Sequence, residues 1–142
     1  MPGILVGIDG SAHSQAALEW AAKEAALRQT SLTVLTVHQA VRGFWGGTLH
    51  YQGDESLTEK ARVKAQEATD AVLAGLGAAR PESVKVTSVQ GIPAEEIINA
   101  GLDADMIVLG SRGGGGFARM LLGSVTSNVA EHAKVPVMIM PS

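Results

Sequence analysis

Short apolar runs alternate along the chain with segments of helical period, and that alternation narrows the fold more than any other feature. Ile4–Ile8 is an apolar run that stops at Asp9-Gly10-Ser11, a strand followed by a turn. From Ser14 to Leu27 the residues Ala17, Leu18, Ala21, Ala22, Ala25 and Ala26 recur at the spacing of one helix face, with Ser11 or Ser14 as cap. Ser31–His38 is β-branched and apolar, a second strand. Ser56-Leu57-Thr58-Glu59 has the form of a capping box. It opens a stripe of Leu57, Ala61, Ala65, Ala68, Val72 and Leu76 that predicts a helix to about Ala79. Val84–Val89 is a third strand. Pro93 then starts a short helix, with Glu95 and Glu96 in its first turn, that ends near Gly101. Met106–Leu109 is a fourth strand, Ser124–Ala133 a last helix stopped before Pro136, and Val137–Met140 a fifth strand.

Strands alternating with helices imply right-handed crossovers and a mostly parallel sheet with helices on both faces. The strand runs are continuous rather than alternating, as befits strands buried on both sides. The expected fold is a single doubly wound, five-stranded α/β domain over residues 1–142. A net charge of −3 argues against a nucleic-acid partner, which needs a basic face. No apolar run approaches the roughly eighteen residues of a membrane span, and the N-terminus lacks the pattern of a signal peptide. A cytoplasmic location is the resulting expectation. The chain has no cysteine, which removes disulfides and thiolate chemistry.

Four consecutive glycines, Gly113, Gly114, Gly115 and Gly116, follow the fourth strand, and Gly123-Ser124 opens the last helix. In open α/β sheets ligands sit beyond the carboxyl ends of the strands, where strand order reverses. Asp9-Gly10-Ser11 after the first strand and Gly110 onward after the fourth lie at such ends. If the two strands are neighbours, both loops face one crevice. Backbone N–H groups of a glycine-rich turn, with the positive end of the helix from Ser124, make a site for phosphate. Gly7, inside a strand, permits close backbone approach. Neither familiar phosphate motif fits. No Lys precedes Ser124 as a P-loop requires, and Gly113-x-Gly115-x-x-Ala118 neither follows the first strand nor opens a helix.

Gly110-x-x-Gly113, nine residues, then Gly123-Ser124 resembles the ATP-binding signature of the universal stress protein family. Ile4-Leu5-Val6-Gly7-Ile8-Asp9-Gly10-Ser11 is similar to that family's opening strand and turn, and Val135-Pro136-Val137-Met138-Ile139-Met140 to its closing strand. The resemblance implies strand order 3-2-1-4-5, with the first and fourth strands side by side. It implies Asp9 near the nucleoside end and the backbone around Val37 along the adenine. Gly110, Ser111, Arg112, Gly113, Gly114, Gly115 and Gly116 would wrap ribose and phosphates, and Ser124 and Val125 would hold phosphate oxygens. The implied ligand is ATP, with Mg2+, or AMP. The implied role is an ATP-binding regulator of the stress response, its occupancy tuning a dimer or partner surface.

Asp9 can equally cap the first helix, and Arg112 or Arg119 can be ordinary surface arginines. His13, His38, His50 and His132 form no ligand-spaced cluster. Phe44, Trp45 and Tyr51, in a periodless stretch over residues 39–53, suit loop packing or a partner surface. No carboxylate pair or Ser/His/Asp grouping stands at motif spacing, so a binder with at most slow ATP hydrolysis is expected. The competing class is an adenine-nucleotide α/β enzyme performing hydrolysis or nucleotidyl transfer. Such enzymes place Ser-Gly-Gly-x-Asp-Ser or His-x-Gly-His early in the chain, and Asp9-Gly10-Ser11-Ala12-His13 matches neither. The apolar, uncharged last strand, with Pro136 at its start, reads as a sheet edge able to pair with a second copy in a homodimer.

Overall fold

In the computed structural model, which describes residues 3–39, 54–111 and 123–141, the first apolar run forms β1 (Gly3–Ile8). It is followed by α1 (Ala12–Arg28), β2 (Ser31–Gln39), α2 (Asp54–Gly75) and β3 (Ser83–Gly91). Then come α3 (Pro93–Ala100), β4 (Met106–Gly110), α4 (Ser124–His132) and β5 (Val137–Met140). The strands form one sheet in the order β3-β2-β1-β4-β5, every neighbouring pair parallel. This is the doubly wound α/β architecture that the alternation of elements requires.

Two apolar layers hold it. On one face Ile4, Val6, Leu32, Val34 and Val108 pack under Ala17, Leu18, Ala21, Ala22 and Ala25 of α1, with Ala68 and Val72 of α2 beside them. The alanine stripe keeps the α1 face smooth, so the helix lies close to the strands. On the other face Leu5, Leu35, Ile107 and Leu109 pack against Ala94 and Ile97 of α3 and Val129 of α4. β1 and β4 are buried on both faces, which accounts for their unbroken apolar runs.

β2 and β3 behave differently. Leu32, Val34, Val84 and Val86 face α1 and α2, while the interleaved Thr33 and Lys85 are left outside both layers. α3 has only eight residues, about 12 Å, and lies over Leu35, Val37 and Val89 near the strands' carboxyl ends. The amino-terminal half of that face therefore stays polar.

α2 departs from the capping-box reading. It begins at Asp54, so Ser56 lies within the first turn and Leu57, expected on the buried stripe, is 54% exposed. The rest of the stripe holds, with Ala65 buried and Ala68, Val72 and Leu76 packed on the core; Thr69 and Leu73 are buried beside them, and Thr69 satisfies its hydroxyl on the Ala65 carbonyl, 2.7 Å away. The helix ends at Gly75, short of Ala79, and Gly77 at φ +68° turns the chain out of it. Among the described residues no helix is long and apolar enough to cross a membrane.

Candidate functional site

The sheet parts at its centre. β1 pairs with β2 over its whole length, Gly3 to Ile8, but with β4 only from Ile4↔Met106 to Val6↔Val108. Beyond Val6 and Val108 the two strands leave their common ladder, and β2 runs on past Thr36, the partner of Ile8, to Gln39. A crevice thus opens between the carboxyl ends of β1 and β4, bordered by the last residues of β2. Val37, half-buried, stands on that border. Strand order reverses at this point, the place where open α/β sheets bind ligands.

The floor of the crevice is filled. A side chain on Gly7 would come within 2.8 Å of Leu109 Cδ2 and 3.2 Å of Ile97 Cδ1. The glycine expected to admit a ligand instead makes room for core side chains of β4 and α3.

The β1–α1 turn satisfies itself. Gly10 takes φ +84° in open space, which explains a glycine there. The Ser11 N–H donates to Asp9 Oδ1 (2.9 Å), and the Asp9 N–H donates to Ser14 Oγ (3.1 Å). Ser11 Oγ caps α1 by accepting the Ser14 N–H, and Ser14 Oγ donates to the Ser11 carbonyl. Asp9 therefore braces the turn that leads into the helix, and its carboxylate makes this lip of the crevice acidic.

The other lip is built in the opposite way. The N-cap of α4 is Gly123, at φ −68° and ψ 157°, and no side chain among the described residues caps the helix. These angles suit any residue, so glycine is not needed here for backbone freedom; what it does is leave the helix end without a cap. The Gly123 N–H donates to the Ser111 carbonyl (2.6 Å), which leaves the N–H groups of Ser124, Val125 and Thr126 at the head of the helix. Ser124 is exposed and Val125 half-buried. Thr126 is buried and donates its hydroxyl to the Gly110 carbonyl (2.7 Å). Ser111, 4% exposed, donates its N–H to the Met140 carbonyl at the end of β5, while its Oγ is buried with no hydrogen-bond partner among the described residues. An uncapped helix head beside an unsatisfied hydroxyl suits an anionic oxygen, and the acidic lip at Asp9 does not.

Gly110 is where the pieces meet. A side chain there would stand 2.7 Å from both the carbonyl carbon and oxygen of His13 in α1. Its glycine identity is what allows α1 to reach β4. Thr126 and Ser14 also build this end of the sheet, although the glycine signature marks neither. The only hint in the sequence is a hydroxyl residue in the first turn of each helix. Thr126→Val keeps the shape and deletes the bond to Gly110; we expect a loss of about 1–2 kcal/mol in urea unfolding, and no loss would make that bond incidental.

Arg112, Gly113, Gly114, Gly115, Gly116 and Arg119, together with Phe44, Trp45, His50 and Tyr51, lie outside the described residues. His38 donates to or accepts from Thr58 across the β2–α2 contact, and His132 bonds the Asn128 carbonyl within α4. Among the described residues no three His, Asp or Glu side chains are grouped to hold a metal ion.

The family profile described as "Universal stress protein family" matches residues 2–141. The chain belongs to the universal stress protein family. A universal stress protein of Mycobacterium tuberculosis is 37% identical over 99% of this chain and 48% of its own length. One of Mycolicibacterium smegmatis is 36% identical over 96% of this chain and 47% of its own. The chain thus spans about half the length of these curated relatives. The structure of universal stress protein UspA from Lactobacillus plantarum superposes with a TM-score of 0.75 at 29% identity, covering 98% of this chain and 97% of that one. A universal stress protein solved in complex with cAMP superposes with a TM-score of 0.68 at 25% identity, covering 99% and 96%.

Proposed function

We propose that this universal stress protein is an adenine-nucleotide-binding regulator, taking ATP or AMP in the β1–β4 crevice. The observation that carries this is the uncapped head of α4 beside the unpartnered Ser111 hydroxyl, at the point where the sheet parts. A family member of like fold, solved with cAMP, supports an adenine nucleotide as the ligand class.

In this reading the N–H groups of Ser124, Val125 and Thr126, with the Ser111 hydroxyl, hold phosphate oxygens, and the loop from Gly110 to Gly116 wraps the ribose and phosphates. The acidic Asp9 lip stays with the nucleoside, because a carboxylate repels phosphate. The backbone of β2 beyond Thr36, around Val37, has no β1 partner on that side and so can meet the edge of the base. Mg2+ would enter with a triphosphate, on the phosphates themselves. In this reading the role is binding, with at most slow hydrolysis, in a cytoplasmic domain. Mass spectrometry of the small molecules released on denaturing the purified protein tests it. Adenine nucleotide at near-equal ratio to protein is expected, and a protein that neither carries nor binds one in titration calorimetry defeats the reading.

We also propose a homodimer through β5. This strand ends the sheet, pairs only with β4 among the described strands, and exposes part of every side chain from Val137 to Met140 without a charge to guard its edge. Two such edges meeting about a two-fold axis close the assembly. Met138→Lys and Ile139→Lys are expected to shift sedimentation toward the monomer. Wild type sedimenting as a monomer at tens of micromolar removes the proposal.

A further inference from the structure

Gly91 closes β3, and a carboxylate stands over it. A side chain on Gly91 would come within 2.7 Å of Glu96 Oε1, 2.8 Å of its Cγ and 3.0 Å of its Cδ. Glu96 belongs to the first turn of α3, so this contact lies on the α3 face of the sheet. Glycine at position 91 is what lets the carboxylate rest on the strand's end.

Nothing around Glu96 answers its charge. Two acidic side chains are half-buried among the described residues, Glu24 and Glu96. Glu24 is paired with Arg28 at 2.8 Å, whereas Glu96 has neither hydrogen bond nor ion pair among the described residues. The basic residue of β3, Lys85, is six positions back from Gly91, about 20 Å along the strand. The α3 dipole favours an acid in this turn, but the exposed Glu95 already meets that need. A half-buried carboxylate without a partner gives up hydration and gains no bond in exchange.

Register places it against the crevice. Val37 pairs with Val89 and Gln39 with Gly91, so the carboxylate lies one strand over from Val37 and two residues further along. Val37 and Val89 pack on the α3 layer, and α4 joins that layer through Val129. The carboxylate, the Val37 border and the head of α4 therefore share one face and one end of the sheet. From β4 to β3 is three strand spacings, about 14 Å. A nucleotide with its phosphate at α4 and its base over β2 turns the far edge of that base toward β3 and Glu96.

We propose that Glu96 is a specificity residue of this site, accepting a hydrogen bond from the exocyclic amino group of adenine. The inference rests on the crevice being a nucleotide site and names what makes it choose adenine. The amino group has two protons; the backbone of β2 can take one and Glu96 the other. A carbonyl oxygen at the same ring position would face the carboxylate with no proton between them, and is rejected.

The test is titration calorimetry of the full chain with AMP and with inosine monophosphate, in which a carbonyl oxygen replaces the amino group. Wild type is expected to bind AMP at least roughly tenfold more tightly. Glu96→Gln keeps the shape, and its amide can turn oxygen or nitrogen to the base, so the preference should fall to about threefold or less. Glu96→Ala should weaken AMP and leave inosine monophosphate no weaker. Circular dichroism establishes that each variant is folded. A carboxylate that serves only the α3 dipole would move the melting temperature and leave the ratio of the two affinities alone. An AMP preference equal in wild type and Glu96→Gln, or no preference in wild type, overturns the Glu96 contact and leaves the nucleotide reading standing. No nucleotide bound by wild type overturns both.

Discussion

Gly110→Ala is expected to lower the stability of the fold by about 2–3 kcal/mol, the scale of an extra methyl forced into a packed interior. The added carbon would sit 2.7 Å from the backbone carbonyl of His13, and a backbone cannot swing aside as the end of a side chain can. Either α1 shifts away from β4 or β4 bows, and the β1–α1 turn and the Thr126 bond to the Gly110 carbonyl follow. Gly7→Ala is the control. Its added carbon meets only the tips of Leu109 and Ile97, at 2.8 and 3.2 Å, which can turn away, so a smaller loss is expected. Urea denaturation of both variants decides. A Gly110→Ala protein no less stable than Gly7→Ala would mean that α1 is not seated on β4 as tightly as described.

Ser124→Asp is expected to move stability and ligand affinity in opposite directions. Ser124 is exposed and is the first residue of α4, a helix with no side-chain cap and no acid in its first turn. A carboxylate there complements the helix dipole and should stabilise the fold by about 0.3–1 kcal/mol. The same carboxylate occupies the N–H groups offered to phosphate and repels it. Adenine-nucleotide affinity should fall on the order of a hundredfold, which corresponds to about 2.7 kcal/mol. Melting temperature and calorimetric titration, read side by side, give the answer. Affinity unchanged in a stabilised protein would mean that the head of α4 is only a helix end. Affinity and stability falling together would point to misfolding rather than to lost charge complementarity.

Most of the architecture was legible because each element carries its own periodicity and punctuation. The alanine stripe of α1 with Ser11 before it, Pro93 before α3, and Pro136 after α4 gave boundaries within a few residues of the observed ones. α2 was placed less well. Its start at Asp54 competes with a capping-box pattern two residues later, and local pattern alone does not choose between them. Leu57 followed the helical period onto an exposed face because the period fixes a stripe and not which end of it is covered. The candidate site divides similarly. The loops at the ends of β1 and β4 could be read from their glycines, but the meaning of each glycine could not. Gly10 serves a turn, Gly7 the core, Gly110 the approach of α1, and Gly123 an uncapped helix. Those roles depend on what stands opposite each residue, across contacts that join positions about a hundred apart in the chain, such as Gly7 with Leu109.

The ladder lengths across the sheet are unequal: nine residue pairs join β2 to β3 and six join β1 to β2, but three join β1 to β4 and four join β4 to β5. In mechanical terms the sheet is two plates, β3-β2-β1 and β4-β5, sewn together by a short seam that is stitched only toward its amino-terminal end. Hydrophobic contact from α1 on one side and from α3 on the other bears the rest of the load. A molecule gripping both lips beyond Val6 and Val108 would act as a clasp at the unstitched end. It would add its own bonds where the fold has fewest, and slow the opening of amides along β4 and β5 more than those along β2 and β3.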